Sequence, residues 1–329
     1  MNNYKKYNYG TAILSAFEYL LENHPEVFVI GQGLWSPWYV GNTMTDLDKK
    51  FGVDRIIDTP VSEAACTGAA VGASLAGMKP IVVHPRMDFM LYAIDAIVNQ
   101  AAKWSHMTGG NSHPAITIRA IINRGGEQGA QHSQALHAWF SHIPGLRVVM
   151  PSTVADARDL FIASVLSPDP VMYIDDRWLY EQVDYLPPVV VKDLSKEGPK
   201  LLAEGSDMTI VAASYSTMLA QNARVKLAEE GISAEVIDLR ILNPFDSELI
   251  IKSVCKTGRL LVIDGGWRTC GMAGEVIASV TENMQVDKWK NQPCRVTLPD
   301  APAPTSRVLE KIYYPDEEQV VIAARKLFT

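Results

Sequence analysis

Two hydrophobic rhythms alternate along this chain. Short runs rich in β-branched residues read as strands: FVIGQ (28–32), RIIDTP (55–60), PIVVHP (80–85), AITIRAII (115–122), RVVM (147–150) and VMYID (171–175). Between them the apolar positions recur at helical spacing, in TAILSAFEYLLENH (11–24), SEAACTGAAVGASLAGM (62–78), FMLYAIDAIVNQAAKW (89–104) and TVADARDLFIASVL (153–166). A second series of strands follows: MTIVAAS (208–214), AEVIDLR (234–240), RLLVIDGG (259–266) and CRVTLPD (294–300). Strand–helix alternation of this kind implies parallel sheets with helices on both faces. The prolines and charges of 187–199 interrupt both rhythms and mark a linker. The pattern therefore predicts an α/β protein of two parallel-sheet, three-layer domains, 1–186 and 200–329, joined by 187–199.

Composition narrows the function classes. The chain has 329 residues, 47% of them hydrophobic and 20% charged, with a formal net charge of −7. No basic stripe is present, which argues against nucleic-acid binding. No apolar stretch approaches the roughly 20 residues of a membrane span. The N-terminal MNNYKKYNYG has no apolar signal core. Four cysteines, Cys66, Cys255, Cys270 and Cys294, show no CxxC spacing. They read as reduced, packed thiols in a cytoplasmic protein.

Candidate chemistry gathers where strands end. In DTPVSEAACTGAAVGASLAGM, Ser62 is placed to cap a helix and Glu63 falls in its first turn. Acidic residues favour helix N-termini through the dipole alone. Yet this helix is small on nearly every face (Gly68, Ala69, Ala70, Gly72, Ala73), so a ligand can approach closely. In open α/β sheets ligands bind beyond the carboxyl ends of the strands. A carboxyl group there, desolvated, would have a raised pKa and could exchange a proton with a ring nitrogen. A second shelf, NRGGEQGAQHSQ, also follows a strand and carries His132, a side chain suited to acid–base work near neutrality. His137 falls in a helical stretch and is expected to be partly exposed. His132, His137 and His142 are five apart and no HExxH occurs, so no transition-metal site is expected. Trp35, Trp38 and Tyr39 form either a packed loop or an aromatic lining for an organic ligand.

Taken together, IIDTPVSEAACTGAAVGASLAGMKPIV and GAQHSQALHAWFSHIPGLRVVMPST resemble the β subunits of thiamine-diphosphate-dependent 2-oxo-acid dehydrogenases (E1). NQAAKW, DDRWLY, EVIDLRILNPFD, DGGW and LPDAPAPTSRVLEKIYYP extend the resemblance almost end to end. It implies a transketolase-like pyrimidine-binding domain followed by a transketolase C-terminal-like domain. Glu63 matches the glutamate that contacts N1′ of the cofactor's aminopyrimidine, Phe89 an aromatic residue packed on that ring, and His132 the histidine of AQHSQ that moves protons around the bound intermediate. The family's potassium site would fall near Ser164, Val165, Ser167 and Asp169. The chain has no GDG…N motif. The resemblance therefore implies an E1 α-like partner that holds the diphosphate and Mg2+, in an α2β2 heterotetramer, with a small 2-oxo acid as substrate and a lipoyl E2 as a candidate acceptor. An aldehyde acceptor, as in a transketolase or carboligase, and a non-catalytic assembly role are the alternatives. Three departures bear on the substrate. Gly31-Gln32-Gly33 replaces the family's acidic GE(D/E); VHPRMDF, with His84 and Arg86, replaces EFxxF; and RAIINRGG replaces RxPxG. Arg86 and Arg124 become candidates for pairing with an anionic substrate.

Overall fold

The computed structural model describes residues 4–36 and 38–329; Met1–Asn3 of the N-terminal stretch and Pro37 of the tryptophan-rich loop lie outside them. Contacts divide the chain into two units, Met1–Asn123 with Trp139–Glu197, and Arg124–Ala138 with Gly198–Thr329. The glycine shelf thus clusters with the C-terminal half, although it precedes the linker in sequence.

The strands are β1 (Lys5–Asn8), β2 (Val27–Gly31), β3 (Ile56–Asp58), β4 (Lys79–His84), β5 (Thr117–Ile122), β6 (Arg147–Val149), β7 (Val171–Asp176), β8 (Val183–Leu186), β9 (Lys200–Ala203), β10 (Met208–Ala212), β11 (Ala234–Asp238), β12 (Ile241–Asn243), β13 (Leu260–Trp267) and β14 (Cys294–Leu298). The helices are α1 (Tyr9–Asn23), α2 (Leu47–Phe51), α3 (Glu63–Leu75), α4 (Ala102–Met107), α5 (His137–Ser141), α6 (Val154–Leu166), α7 (Tyr215–Glu229), α8 (Glu248–Thr257), α9 (Met272–Glu282), α10 (Arg307–Tyr313) and α11 (Glu317–Arg325).

In the first unit the sheet runs β6-β7-β5-β4-β2-β3, every pair parallel. β5 and β7 are buried at every position, as continuous apolar runs covered on both faces require. Helices α1 and α6 pack together on one face. There Phe17 and Phe161 meet edge-on at 4.8 Å, and Phe161 meets Tyr173 of β7 at the same distance. A capping box sets the start of α1: the Thr11 amide donates to Asn8 Oδ1 at 2.7 Å and the Asn8 amide to Thr11 Oγ1 at 2.9 Å. The linker is not loose, since its start and middle lie along this unit. Arg158 donates to the Pro187 carbonyl at 2.7 Å, and Lys192 lies 3.7 Å from Asp156.

In the second unit the sheet runs β14-β13-β10-β11-β9, parallel except for β9. Its core packs Met208, Ile210, Val236, Leu261 and Ile263 against Leu227 of α7 and Val320 and Val321 of α11. Strands β1, β8, β9 and β12 are additions to the sequence pattern. They are short or largely exposed and carry no apolar run. The segment 89–104, which the apolar spacing predicts as one helix, winds successively as a 3-10 turn (Phe89–Ala93), a π turn (Ala96–Ala101) and α4, which runs on to Met107. Each of these pieces is only five or six residues long, little more than one or two turns, so periodicity alone cannot separate the windings.

One polar cluster sits wholly inside the first unit. Arg119 of β5 donates to Asp175 of β7 through Nε at 2.9 Å and Nη2 at 2.8 Å, and through Nη1 to Thr43 at 2.8 Å. Tyr180 joins the same carboxylate, and both ion-pair partners are fully buried. Burial alone would push the guanidinium pKa down, but Asp175, followed by Tyr180, holds it above the ordinary arginine value. Removing one member leaves a buried charge unpaired. Asp175→Ala is therefore expected to cost about 3–5 kcal/mol in denaturant unfolding, with Asp175→Asn costing less because one acceptor remains. A loss below about 1 kcal/mol for Asp175→Ala would show that the guanidinium finds other partners.

Candidate active site

The parallel direction of the first sheet brings the ends of β2, β3 and β4 level. Gly31 lies beside Asp58 on one side and Val83 on the other. The loops beyond them are tied together by hydrogen bonds. Thr59 donates its amide to the Gly31 carbonyl at 2.8 Å, and Leu34 to Asp58 Oδ1 at 3.2 Å. Met87 donates to the Ile121 carbonyl at 2.9 Å, and Asn123 Nδ2 to the Pro85 carbonyl at 2.9 Å. Only glycine fits at position 31, where a Cβ would collide with the Val83 carbonyl. Gly33 adopts φ +69° and lies against the Tyr39 ring.

Glu63 opens α3 at this edge, half-exposed, with no hydrogen-bond or ion-pair partner among the described residues. Ser62 occupies the N-cap position, but its hydroxyl makes no capping bond, so the expected cap does not form. The buried side of α3 is Cys66, Thr67, Ala70, Val71 and Ser74, whereas Ala64, Ala65, Gly68, Ala69 and Gly72 are exposed. A Cβ added at Gly68 or Gly72 would meet nothing within 4 Å, so the small-residue face is open. Phe89 is half-buried at the start of the 3-10 turn after β4. A carboxyl without a partner among the described residues and an aromatic ring, each opening a helical segment beyond a strand end at one sheet edge, suit a flat heterocycle with a basic ring nitrogen.

His84, at the end of β4, is 3% exposed and lies 3.3 Å from the Thr67 hydroxyl on α3. Burial pushes its pKa down to about 4, so the ring is neutral near pH 7. Among the loop aromatics, Trp35 donates to the Ile56 carbonyl at 2.9 Å, and Gln32 Nε2 donates to the Tyr39 hydroxyl at 3.1 Å. Trp38 stands 75% exposed. The loop is thus anchored at two aromatics and open at the third.

In the second unit the shelf is held from several sides. The Glu127 amide, at φ +62°, donates to Glu310 Oε1 at 2.8 Å. Gly129 lies against Thr305, and the Arg124 guanidinium against Gly265. His132 is half-buried, its amide donating to the Gly129 carbonyl at 3.3 Å. His137 corrects an expectation. It is 2% exposed rather than partly open, and its Nε2 lies 2.8 Å from Asp264 Oδ1. Asp264 also accepts from the amides of Gly266 at 2.8 Å and Ala273 at 3.0 Å. Burial would raise the pKa of Asp264, but His137 and these amides outweigh it and hold the carboxylate below its ordinary value. Sequence reading missed this pair because its members are 127 residues apart.

Other expectations resolve differently. Cys66 is buried, but Cys255 and Cys270 are exposed, so packing does not account for them. At the potassium position, Ser164 donates to the Leu160 carbonyl at 2.6 Å and Asp169 accepts from Arg147 at 2.8 Å. Among the described residues no helix is long and apolar enough to cross a membrane, and no group of three or more His, Cys, Asp or Glu could hold a metal ion.

Comparison with known proteins places the two halves separately. Residues 5–182 match the transketolase pyrimidine-binding domain, and residues 199–320 the transketolase C-terminal domain. The chain is 36% identical over 322 residues to the pyruvate dehydrogenase E1 component subunit beta-1 of Arabidopsis thaliana, covering 96% of this chain and 87% of the relative. It is also 36% identical over 336 residues to the acetoin:2,6-dichlorophenolindophenol oxidoreductase subunit beta of Cupriavidus necator, covering 98% and 97%. Among solved structures, a split-gene transketolase in an inactive β4 tetramer superposes with TM-score 0.75 at 24% identity, over 97% of this chain and 96% of the other. That likeness shows a shared two-domain transketolase-like fold.

Two predictions follow from the buried histidines. An unfolded His84 takes up a proton near pH 6.5, whereas the folded one resists until about pH 4. Its contribution to stability is therefore complete above pH 6.5 and declines as the pH falls toward 4. Between pH 7 and 4.5 the wild type is expected to lose about 2 kcal/mol more than His84→Gln in urea unfolding; equal losses would mean that His84 titrates normally. For the second pair, His137→Ala is expected to speed amide exchange across 125–134 by about tenfold or more. Unchanged protection of that peptide would show that the shelf does not depend on Asp264.

Proposed function

Because this chain belongs to the family of E1 β-like subunits built from transketolase pyrimidine-binding and C-terminal domains, we propose that it is the β subunit of a thiamine-diphosphate-dependent 2-oxo-acid dehydrogenase. In this reading residues 1–186 form the pyrimidine-binding domain, 187–199 the linker and 200–329 the C-terminal domain. An E1 α-like partner completes the site in an α2β2 assembly and holds the diphosphate and Mg2+, for which this sequence carries no GDG…N motif. The carrying observation is Glu63, a carboxyl at the open strand edge that none of the described residues engages.

When bound, thiamine diphosphate supplies a nucleophilic carbon and an electron sink for decarboxylation. Glu63 holds a proton at N1′ of the aminopyrimidine and so sets the ring's tautomer. Phe89 offers an apolar face on which the ring can lie. His132, on a shelf fixed from behind by Asp264, Glu310 and Gly265, delivers and removes protons near the substrate. The acyl group passes to an acceptor, for which the lipoyl group of an E2 acyltransferase is the first choice. A second acceptor class stays in view for one reason. A relative named for acetoin and a dye acceptor is as similar as one named for pyruvate dehydrogenase.

The chain co-expressed with an α-like partner provides the test. Glu63→Gln is expected to lower the decarboxylation rate by about 10²–10⁴-fold while leaving the size of the assembly unchanged on gel filtration. Full activity in that variant would remove Glu63 from the mechanism.

A further inference from the structure

At the same carboxyl edge, two arginines face each other's charge without a counter-ion. Arg86 follows β4 and Arg177 follows β7, and both are half-buried. Neither makes an ion pair with a carboxylate among the described residues. Among the described residues, Arg86 Nη1 and Arg177 Nε are shut off from solvent with no hydrogen-bond partner, and so is Gln32 Oε1 in the neighbouring loop. Tyr39 links the group: its carbonyl accepts from Arg177 Nη2 and its hydroxyl from Gln32 Nε2. Its phenolic proton stays available to a further acceptor. Asp175, the carboxylate whose charge acts on Arg177, is already engaged by Arg119 through two hydrogen bonds. Burial pushes the pKa of Arg177 below the ordinary arginine value; Tyr180 and Asp175 oppose this, while Arg86 and Arg119 add to it.

Buried donors without acceptors cost stability, and like charges brought together cost more. Such an arrangement in a stable protein is explained by an anion that arrives from outside. We propose that Arg86 and Arg177 form an anion subsite that takes the side-chain carboxylate of a 2-oxo dicarboxylic acid. The inference deepens the functional reading above and rests on it for the substrate's keto group. Charge conservation selects the carboxylate. The carboxylate that departs as carbon dioxide loses its charge during the reaction. An arginine paired with it would stabilise the ground state more than the transition state. A second carboxylate, at the far end of the side chain, keeps its charge throughout, so an ion pair with it contributes binding without raising the barrier. The guanidinium fork fits a carboxylate through two parallel hydrogen bonds.

The experiment has two arms, so that the subsite and the enzymatic reading can fail separately. In the first, calorimetry on the full chain at low ionic strength compares glutarate, its neutral analogue butyramide and inorganic phosphate. Glutarate is expected to bind at least tenfold more tightly than either, and Arg86→Gln and Arg177→Gln each to weaken it at least tenfold. Arg86→Gln is expected to melt no lower than the wild type, because it removes an unpaired charge, and it therefore reports on binding rather than misfolding. Equal affinity for glutarate and butyramide, tighter phosphate binding, or unchanged affinity in both variants overturns the subsite. In the second arm, the complex with its α-like partner is assayed with 2-oxoglutarate and pyruvate. The wild type is expected to favour 2-oxoglutarate in kcat/KM, and Arg177→Gln to cut that preference at least tenfold, mainly through KM. A wild-type preference for pyruvate overturns the substrate class. Glutarate binding without any decarboxylation would instead count against the dehydrogenase reading and leave the anion subsite standing.

Discussion

Parallel strands need crossover connections, and in the first unit those connections return every strand in the same direction. All the carboxyl ends therefore lie along one edge. Residues scattered from Gly31 to Arg177 become neighbours of that edge whatever their separation in sequence. The loops there cannot satisfy all their own polar groups, since each strand has ended and the next helix begins elsewhere. Among the described residues, Glu63 without a partner, Arg86 and Arg177 without an ion-paired carboxylate, and the glycine at position 31 wedged under Val83 share this cause. The chemistry proposed for the protein uses what the topology leaves unpaired.

Polar groups in the scaffold show the opposite arrangement. Arg119 is bidentate to Asp175 and also reaches Thr43 and Tyr180, so little hydrogen-bonding capacity is wasted in a fully buried position. Asp264 accepts from His137 and two backbone amides and fixes the start of α9 while it anchors the glycine shelf. His84 is kept neutral rather than paired. Satisfied networks away from the edge let the edge remain unsatisfied, a division expected where stability and ligand binding compete for the same residues.

Much of this order was legible in the sequence. The runs that became β2 to β7 and most of the second sheet were readable because parallel strands buried on both faces are continuously apolar. The positions of Glu63 and Phe89 at strand ends followed from the same runs. Three things were not legible. β1, β8 and β9 are partly exposed and carry no apolar signature. The glycine shelf clusters with the C-terminal unit because Asp264, Thr305 and Glu310 hold it, and no local pattern encodes contacts across more than a hundred residues. Arg177 was hidden in a motif that read as family likeness. Its want of an ion-paired carboxylate among the described residues emerges only from the structure, where Asp175 is occupied by Arg119.

The claim on which the account turns is that Glu63 grips a ring nitrogen of a cofactor shared with a second polypeptide. A crystal structure of this chain with its α-like partner and thiamine diphosphate tests it directly. The account predicts a Glu63 carboxyl oxygen at hydrogen-bond distance, about 2.6–3.0 Å, from N1′ of the aminopyrimidine. A Glu63 side chain turned away from the ring, or bonded within its own chain while the cofactor is held by other groups, would contradict it.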